Sequence, residues 1–157
     1  MSMITRPLPD TVEVDGKKYR IYTDFRRWIE LGIIMSDRSA PMEQKIIDAL
    51  SLCYPRDSLP PSLEGAVNSM LRFYAGSLKT SAHDKNYENK KKPIYDFEYD
   101  AEYIYAAFLE QYRIDLTTAS LHWYQFKALF MGLDENCKIS KIMEYRAIDL
   151  SKIKDKE

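Results

Sequence analysis

The segment from Asp96 to Leu133 constrains the fold more than any other part of the chain, because its large aromatic residues recur at helical spacing. It reads DFEYDAEYIYAAFLEQYRIDLTTASLHWYQFKALFMGL. Its first half predicts an amphipathic helix that begins at Asp96 or Asp100, since either carboxylate can cap free backbone amides. The apolar stripe of that helix comprises Phe97, Ala101, Ile104, Tyr105, Phe108 and Tyr112. Such a stripe has to be buried against another apolar surface.

A second amphipathic helix is predicted after a short break at residues 113–117, where Asp115 or Thr117 can cap it. Its apolar arc comprises His122, Trp123, Phe126, Leu129, Phe130 and Leu133, and Ser120, Tyr124 and Lys127 lie on the opposite side. Two helices joined by so short a connection pack as a helical hairpin or corner. The segment therefore predicts a mainly α fold.

The aromatic residues of these helices are more numerous than one inward face can use. The predicted core residues are Phe108, Trp123, Phe126 and Phe130. The residues predicted to stay partly exposed and to bind a partner are Tyr99, Tyr103, Tyr112, His122 and Tyr124. Aromatic residues at helical spacing are also what an ordinary core requires, so the alternative that all of them are buried stays open.

Taken as a whole, the sequence predicts one mainly α domain over residues 1–157, with about six helices and a short N-terminal β-hairpin. Residues 11–22 carry alternating apolar positions around an Asp15-Gly16 pair, which predicts the hairpin. Helices follow over residues 24–76, and the polar composition of residues 77–95 predicts a flexible loop. Residues 96–150 hold the aromatic helices, and residues 151–157 form a charged tail.

Helical spacing also predicts which faces of the other helices are buried. For the first three helices these are Phe25, Trp28, Ile29 and Ile33, then Met42, Ile46, Ile47 and Leu50, then Val67, Met70, Leu71 and Tyr74. Asp24 and Ser39 are the predicted caps of the first and second helices, and Asp134 is the predicted cap of the last.

Two sequence runs, YDFEYDAEYIYAAFLEQYRIDL and LHWYQFKALFMGL, resemble the bacteriophage gp-fifteen family. Its members are small tail-region proteins of long-tailed phages and prophages of Gram-positive bacteria, and they are similar to tail assembly chaperones. The resemblance implies a non-enzymatic protein of the host bacterial cytoplasm that binds the tape measure protein and helps to recruit tail tube subunits. It implies no cofactor, and it leaves another copy of the chain as a further partner.

The titratable residues do not form a recognisable catalytic or metal-binding motif. The chain has two histidines, and His83 lies in the polar loop. His122 lies on an apolar arc, where a hydrogen-bonded structural histidine is the alternative to a catalytic base or a metal ligand. Cys53 and Cys137 are far apart and are interpreted as free thiols. We therefore expect a binding protein with no catalytic residues, metal or cofactor.

The net charge of −1 argues against a nucleic-acid partner, because phosphate binding usually leaves a basic excess. The alternative is a nucleic-acid-binding phage regulator that uses Lys90, Lys91 and Lys92 with Tyr87 and Tyr95. A structural tail subunit retained in the virion is a third interpretation. We expect no membrane association, because no apolar run approaches the roughly 20 residues that span a bilayer and MSMITRPLPD lacks the apolar region of a signal peptide.

Overall fold

A computed structural model describes residues 2–76 and 94–148 of the protein. Their elements are β1 (Thr11–Val14), β2 (Lys17–Arg20), α1 (Phe25–Ser36), α2 (Met42–Cys53), a 3-10 helix (Arg56–Ser58), α3 (Leu63–Ala75), α4 (Ala101–Tyr112), α5 (Trp123–Met131) and α6 (Lys138–Arg146). The predicted mainly α fold with about six helices and an N-terminal hairpin is confirmed. Of the predicted polar loop, only Ile94 and Tyr95 are described, and the charged tail 151–157 lies outside the described residues.

The chain falls into two compact units, which are described separately. Unit 1 comprises Met1–Glu88 and Ser120–Lys127, and unit 2 comprises Asn89–Ala119 and Ala128–Glu157. Residues 123–127 of α5 therefore belong to unit 1, and residues 128–131 belong to unit 2. That the whole chain acts as a single domain remains a prediction.

The N-terminal hairpin pairs β1 with β2 in antiparallel register. Its turn residues, Asp15 and Gly16, have φ values of 51° and 78°. Such left-handed conformations suit a two-residue hairpin turn, which is why the Asp-Gly pair predicts this position. The backbone amide of Arg20 donates to the Ser58 hydroxyl at 2.6 Å, so that the 3-10 helix covers part of the exposed edge of β2.

Helix α3 buries a different face from the predicted one. The buried residues are Ala66, Ser69, Met70 and Phe73 rather than Val67, Met70, Leu71 and Tyr74. All four positions thus move back by one residue, which turns the buried face by about 100°. Small residues face β1 because α3 lies close to it: the Ser69 hydroxyl donates to the Glu13 carbonyl at 3.3 Å. A Cβ added at Gly65 would meet the side chain of Val14.

Helix α2 likewise turns small residues inward. It buries Ala49, Leu50 and Cys53 and packs on α1 and α3. The prediction that Met42 and Ile47 are core residues was wrong, since both are largely exposed. Small side chains allow neighbouring helix backbones to approach closely, and spacing of large apolar residues does not report that preference. The α2 helix begins one residue after Pro41, and the predicted Ser39 cap is instead bonded to Asp37.

Helix α1 begins after its predicted cap, because the Asp24 carboxylate accepts the Arg26 amide at 2.9 Å. It buries Phe25 and Trp28 as predicted. The predicted Ile29 and Ile33 are only half-buried, and their places in the core are taken by Leu31 and Gly32.

The core of unit 1 is a cluster of stacked aromatic rings. Ring centroids are 4.6 Å apart for Trp28 and Phe73, 5.1 Å for Phe25 and Phe126, and 6.4 Å for Trp28 and Trp123. The Trp28 indole is fully buried, and its Nε1 donates to the Tyr22 carbonyl at 2.9 Å. The polar end of the ring is thereby satisfied, while its faces are in apolar contact.

Unit 2 is held at the start of α4 by a buried ion pair. Asp100 precedes the first residue of α4 as predicted, but its carboxylate does not cap the helix. It instead accepts both terminal guanidinium nitrogens of Arg146 at 2.6 and 3.0 Å. Asp100 is fully buried, and the pair joins α4 to the last turn of α6. This hydrogen bonding, opposed by burial, lowers the pKa of Asp100.

The predicted starts of α5 and α6 were wrong. Helix α5 begins at Trp123 rather than after Asp115 or Thr117, and α6 begins at Lys138 rather than after Asp134. Each aspartate instead accepts a backbone amide two residues ahead, at 2.9 Å for Asp115 and 2.7 Å for Asp134. Aspartate forms such local turns as readily as helix caps, so its presence alone does not distinguish them.

Candidate partner-binding surfaces

His122 lies at the N-terminus of α5 and caps it. Its Nδ1 accepts the Tyr124 amide at 3.0 Å, and its own amide donates to the Gln125 side-chain oxygen at 2.9 Å. The bond to the Gln125 side chain is the one found in a capping box, whereas the histidine ring accepts an amide one residue earlier than the usual serine or threonine does. Because Nδ1 accepts this hydrogen bond, the proton of the neutral ring is on Nε2, which donates a hydrogen bond to the Pro9 carbonyl, 2.8 Å away.

The surroundings of His122 also shift the pKa of its ring. Burial lowers the pKa of the ring below its usual value of 6.5, although the Pro9 carbonyl and Asp10 act in the opposite direction. Protonation of Nδ1 would turn the cap into a donor that faces the Tyr124 amide. Both ring nitrogens thus have structural partners, and partner binding by His122 remains a prediction.

Tyr124 and His122, two of the predicted partner-binding residues, lie together in unit 1, with ring centroids 5.1 Å apart. Tyr124 is half-buried and stacks on Phe73 at 4.9 Å. A Cβ added at Gly76 would meet the Tyr124 hydroxyl, so glycine is needed there for this close approach. One face of the Tyr124 ring is therefore already used within the chain.

Lys127, which lies opposite the predicted apolar arc of α5, is bonded to the end of α3. Its ammonium donates to the carbonyls of Tyr74, Ala75 and Gly76 at 3.1, 3.1 and 3.2 Å. These carbonyls lie at the C-terminus of α3, where backbone acceptors lack partners within the helix. A cation is favourable there, even though burial lowers the pKa of Lys127.

The three predicted partner-binding tyrosines of unit 2 differ in how far they are engaged. The Tyr112 hydroxyl donates to the Leu129 carbonyl at 2.7 Å, and the Lys138 ammonium lies 4.5 Å from the ring centroid of Tyr103. Tyr112 and Tyr103 are half-buried. Tyr99 is 79% exposed and is the most accessible of the three. Their role in partner binding remains a prediction.

Unit 1 carries an apolar groove that sequence reasoning missed. It is lined by Ile47, Leu50, Ser51, Tyr54, Pro55, Arg56 and Leu59, and we call it the α2 groove. Its volume is about 520 Å³. It was missed because helical spacing assigned Ile47 to the core. The sequence feature that could have revealed the groove is the proline-rich segment after α2. Proline ends the helix there, and the chain turns so that apolar Leu59 lies beside α2.

Unit 2 has a more polar recess between α4 and the start of α6. It is lined by Ala107, Glu110, Gln111, Asp134, Asn136, Cys137 and Lys138. Within residues 2–76 and 94–148, no three side chains of His, Cys, Asp or Glu converge as a metal site would require. No helix in the same ranges combines the length and apolar character needed to cross a bilayer.

The fold and these surfaces define a class: a small, mainly α protein that leaves large apolar side chains exposed on its helices. Residues 4–157 match the family described as Bacteriophage Gp15 protein, and the chain belongs to that family. The predicted family resemblance is thus confirmed, and the family indicates a role in phage structure or assembly. No curated protein and no solved structure matches the chain.

Proposed function

We propose that this protein is a tail assembly chaperone, which binds the tape measure protein of its phage and helps to recruit tail tube subunits. Family membership supports a phage assembly role. The observation that carries the finer proposal is the exposure of large apolar side chains on helices of both units. Ile47 is 58% exposed on α2, and Met131 is 80% exposed on α5. At the α2 groove, exposed Ile47 and Leu59 line one contiguous apolar surface, and such surfaces are typical of proteins that bind other proteins.

The physical role follows from the chemistry of the partner. A tape measure protein is long and helical, and its apolar stripes aggregate unless another surface covers them. Several copies of a small helical protein can cover such a stripe. Each contact should be weak, so that arriving tube subunits can displace the copies, while many copies together hold the chain. The protein acts in the host bacterial cytoplasm, without catalysis, and self-association is part of the proposal.

Co-expression with the tape measure protein of the same phage tests this function. We expect the soluble fraction of the tape measure protein to rise and a complex of the two proteins to co-elute in size-exclusion chromatography. The control is the tape measure protein expressed with an unrelated helical protein of similar size. If solubility does not change and no complex can be isolated, the chaperone function is wrong.

Mass spectrometry of purified virions separates the chaperone from a structural tail subunit, because both would use the same exposed surfaces. A chaperone is absent from the finished tail, whereas a subunit is present in fixed ratio to the tube protein. The nucleic-acid alternative depends on Tyr87 and Lys90 to Lys92, which lie outside the described residues, and on Tyr95, which is half-buried and lies edge-on to Phe130. Salt-dependent binding of DNA or RNA by the purified protein would support that alternative.

A further inference from the structure

The α2 groove offers an apolar surface with few polar groups. Ile47 and Leu59 are 58% and 48% exposed at the groove, and Leu50 is buried beside them. The hydroxyl of Tyr54 is not available to a ligand, because it donates to the Ala66 carbonyl at 2.7 Å in the interior. Apolar side chains of a ligand would therefore be the main groups that this groove can bury.

The charge at the groove is positive. Arg56 is exposed at the groove and forms no ion pair with any residue the structure describes. The adjacent carboxylate, Asp57, is already paired with Arg20 at 2.7 Å. The lining includes no Asp or Glu. An apolar ligand that also carries a carboxylate is thus complementary to the groove, since arginine pairs well with carboxylates.

We propose that the α2 groove binds the apolar stripe of an amphipathic helix from another protein, with a carboxylate of that helix paired to Arg56. This inference rests on the proposed function and locates a binding site for it. Large apolar side chains spaced three or four residues apart on a helix suit an open groove with exposed walls. The ligand is therefore a helix that carries an acidic residue beside its apolar stripe.

The N-terminal arm of a second copy of the chain fits the groove less well. The arm offers an apolar side chain, since Ile4 is 93% exposed. Two residues later comes Arg6, which would meet Arg56 with like charge. Like charges placed together oppose association, so charge complementarity favours the acidic helix of a different protein.

Two designed helical peptides provide the probes for the full-length protein. They share one stripe of leucines and differ only in the residues beside it, which are Glu in one peptide and Lys in the other. By fluorescence anisotropy at low salt, we expect the Glu peptide to bind about tenfold more tightly. The Arg56→Glu variant should instead bind the Lys peptide more tightly than the Glu peptide. Ile47→Asp should weaken binding of both peptides by at least about tenfold.

Leu71→Asp is the matched control for Ile47→Asp, because Leu71 is likewise an exposed aliphatic residue on a unit 1 helix but does not line the groove. It should leave peptide binding unchanged, and far-UV circular dichroism of every variant should match that of the original protein. Equal affinities for the two peptides, unaltered by Arg56→Glu, would overturn the inference. Self-association that Ile47→Asp abolishes would also overturn it, because a second copy would then be the occupant.

The same variants separate this inference from the proposed function. If the original protein forms a complex with the tape measure protein and Ile47→Asp forms it equally well, the groove assignment is wrong and the chaperone function stands. If the original protein forms no such complex, the chaperone function is wrong, and the peptide measurements alone decide whether the groove binds acidic helices.

Discussion

Unit 1 and unit 2 both bury aromatic rings, but among the described residues only unit 2 has an ion pair with a buried carboxylate. The core of unit 1 is a set of stacked aromatic rings around Trp28, whereas α4 and α6 of unit 2 are joined by the buried pair of Asp100 and Arg146. Unit 2 also has aromatic contacts, such as Tyr95 edge-on to Phe130 at 5.0 Å. Apolar burial depends little on pH, while an ion pair fails once its acid is protonated. The two units should therefore respond differently to acid.

The positions of the tryptophans allow the units to be followed separately. Both tryptophans of the chain, Trp28 and Trp123, lie in unit 1. Intrinsic fluorescence thus reports unfolding of unit 1, and hydrogen exchange of peptides from α4 and α6 reports unit 2. Agreement of the two signals would indicate one cooperative transition, which is the behaviour that the single-domain prediction implies.

The largest effect is expected from Trp28→Ala. The change removes a fully buried ring that packs against Phe73 and leaves the Tyr22 carbonyl without its donor. We expect the free energy of unfolding to fall by about 3 to 5 kcal/mol, as for other truncations of large aromatic core residues. Urea denaturation followed by Trp123 fluorescence measures it. Trp28→Phe should cost less, and a loss below about 1 kcal/mol for Trp28→Ala would contradict a core centred on Trp28.

Local sequence signals predict the parts of this fold that local chemistry decides. The Asp15-Gly16 pair locates the hairpin turn because both residues have to adopt positive φ. Asp24 locates the start of α1 because its carboxylate caps the next amides. Phe108, Trp123, Phe126 and Phe130 are all buried, since large rings at helical spacing have few other favourable positions.

Features that depend on distant partners could not be predicted from spacing. Asp100 resembles a cap in sequence, but its partner Arg146 is 46 residues away. Lys127 looks like a surface residue until the end of α3 is placed beside it. Ile47 has the spacing of a core residue, yet α2 turns the smaller Ala49 inward. In each case a tertiary contact outweighs the local pattern, and the α2 groove results from the last of them.

The intermediate effect concerns the ion pair of unit 2. Asp100→Asn keeps the size of the side chain but removes its charge. We expect the free energy of unfolding to fall by about 2 kcal/mol. This is less than the usual cost of breaking a buried ion pair, because Arg146 can still reach solvent. Faster hydrogen exchange in α6 would reveal this loss. The matched control is Glu144→Gln, which removes the exposed pair with Lys141 and should change stability by less than about 0.5 kcal/mol.

The direction of the pKa shift of Asp100 decides how the stabilisation from this pair depends on pH. The Arg146 hydrogen bond lowers the pKa of Asp100 below its usual value of 3.8. The unfolded chain then takes up the proton first as the pH falls. The stabilisation is therefore fully present above about pH 3.8 and is lost below it, as the pH falls through the pKa of the folded state. If Asp100→Asn shows the same acid unfolding of unit 2 as the original protein, the pair is not what holds α6.

The smallest effect tests whether unit 1 is as insensitive to pH as its aromatic core implies. Burial lowers the pKa of His122 below 6.5, so the unfolded chain binds a proton more readily than the folded protein does. The stability contributed by neutral His122 is therefore full above about pH 6.5 and decreases as the pH falls below that value. Asn caps a helix without titrating, so His122→Asn should remove this decrease. Tryptophan fluorescence during urea denaturation at about pH 7 and about pH 5 measures it.

His122→Asn retains the other histidine, His83, and the nearby carboxylates Asp10 and Asp24, so its difference from the original protein isolates one ring. An equal loss of stability in both proteins would show that some other group titrates in unit 1. A loss confined to the original protein would sharpen the contrast between the units. The acid sensitivity of unit 1 would then come from a single helix cap, His122 at the start of α5. The acid sensitivity of unit 2 would appear at lower pH and would come from a buried carboxylate, Asp100.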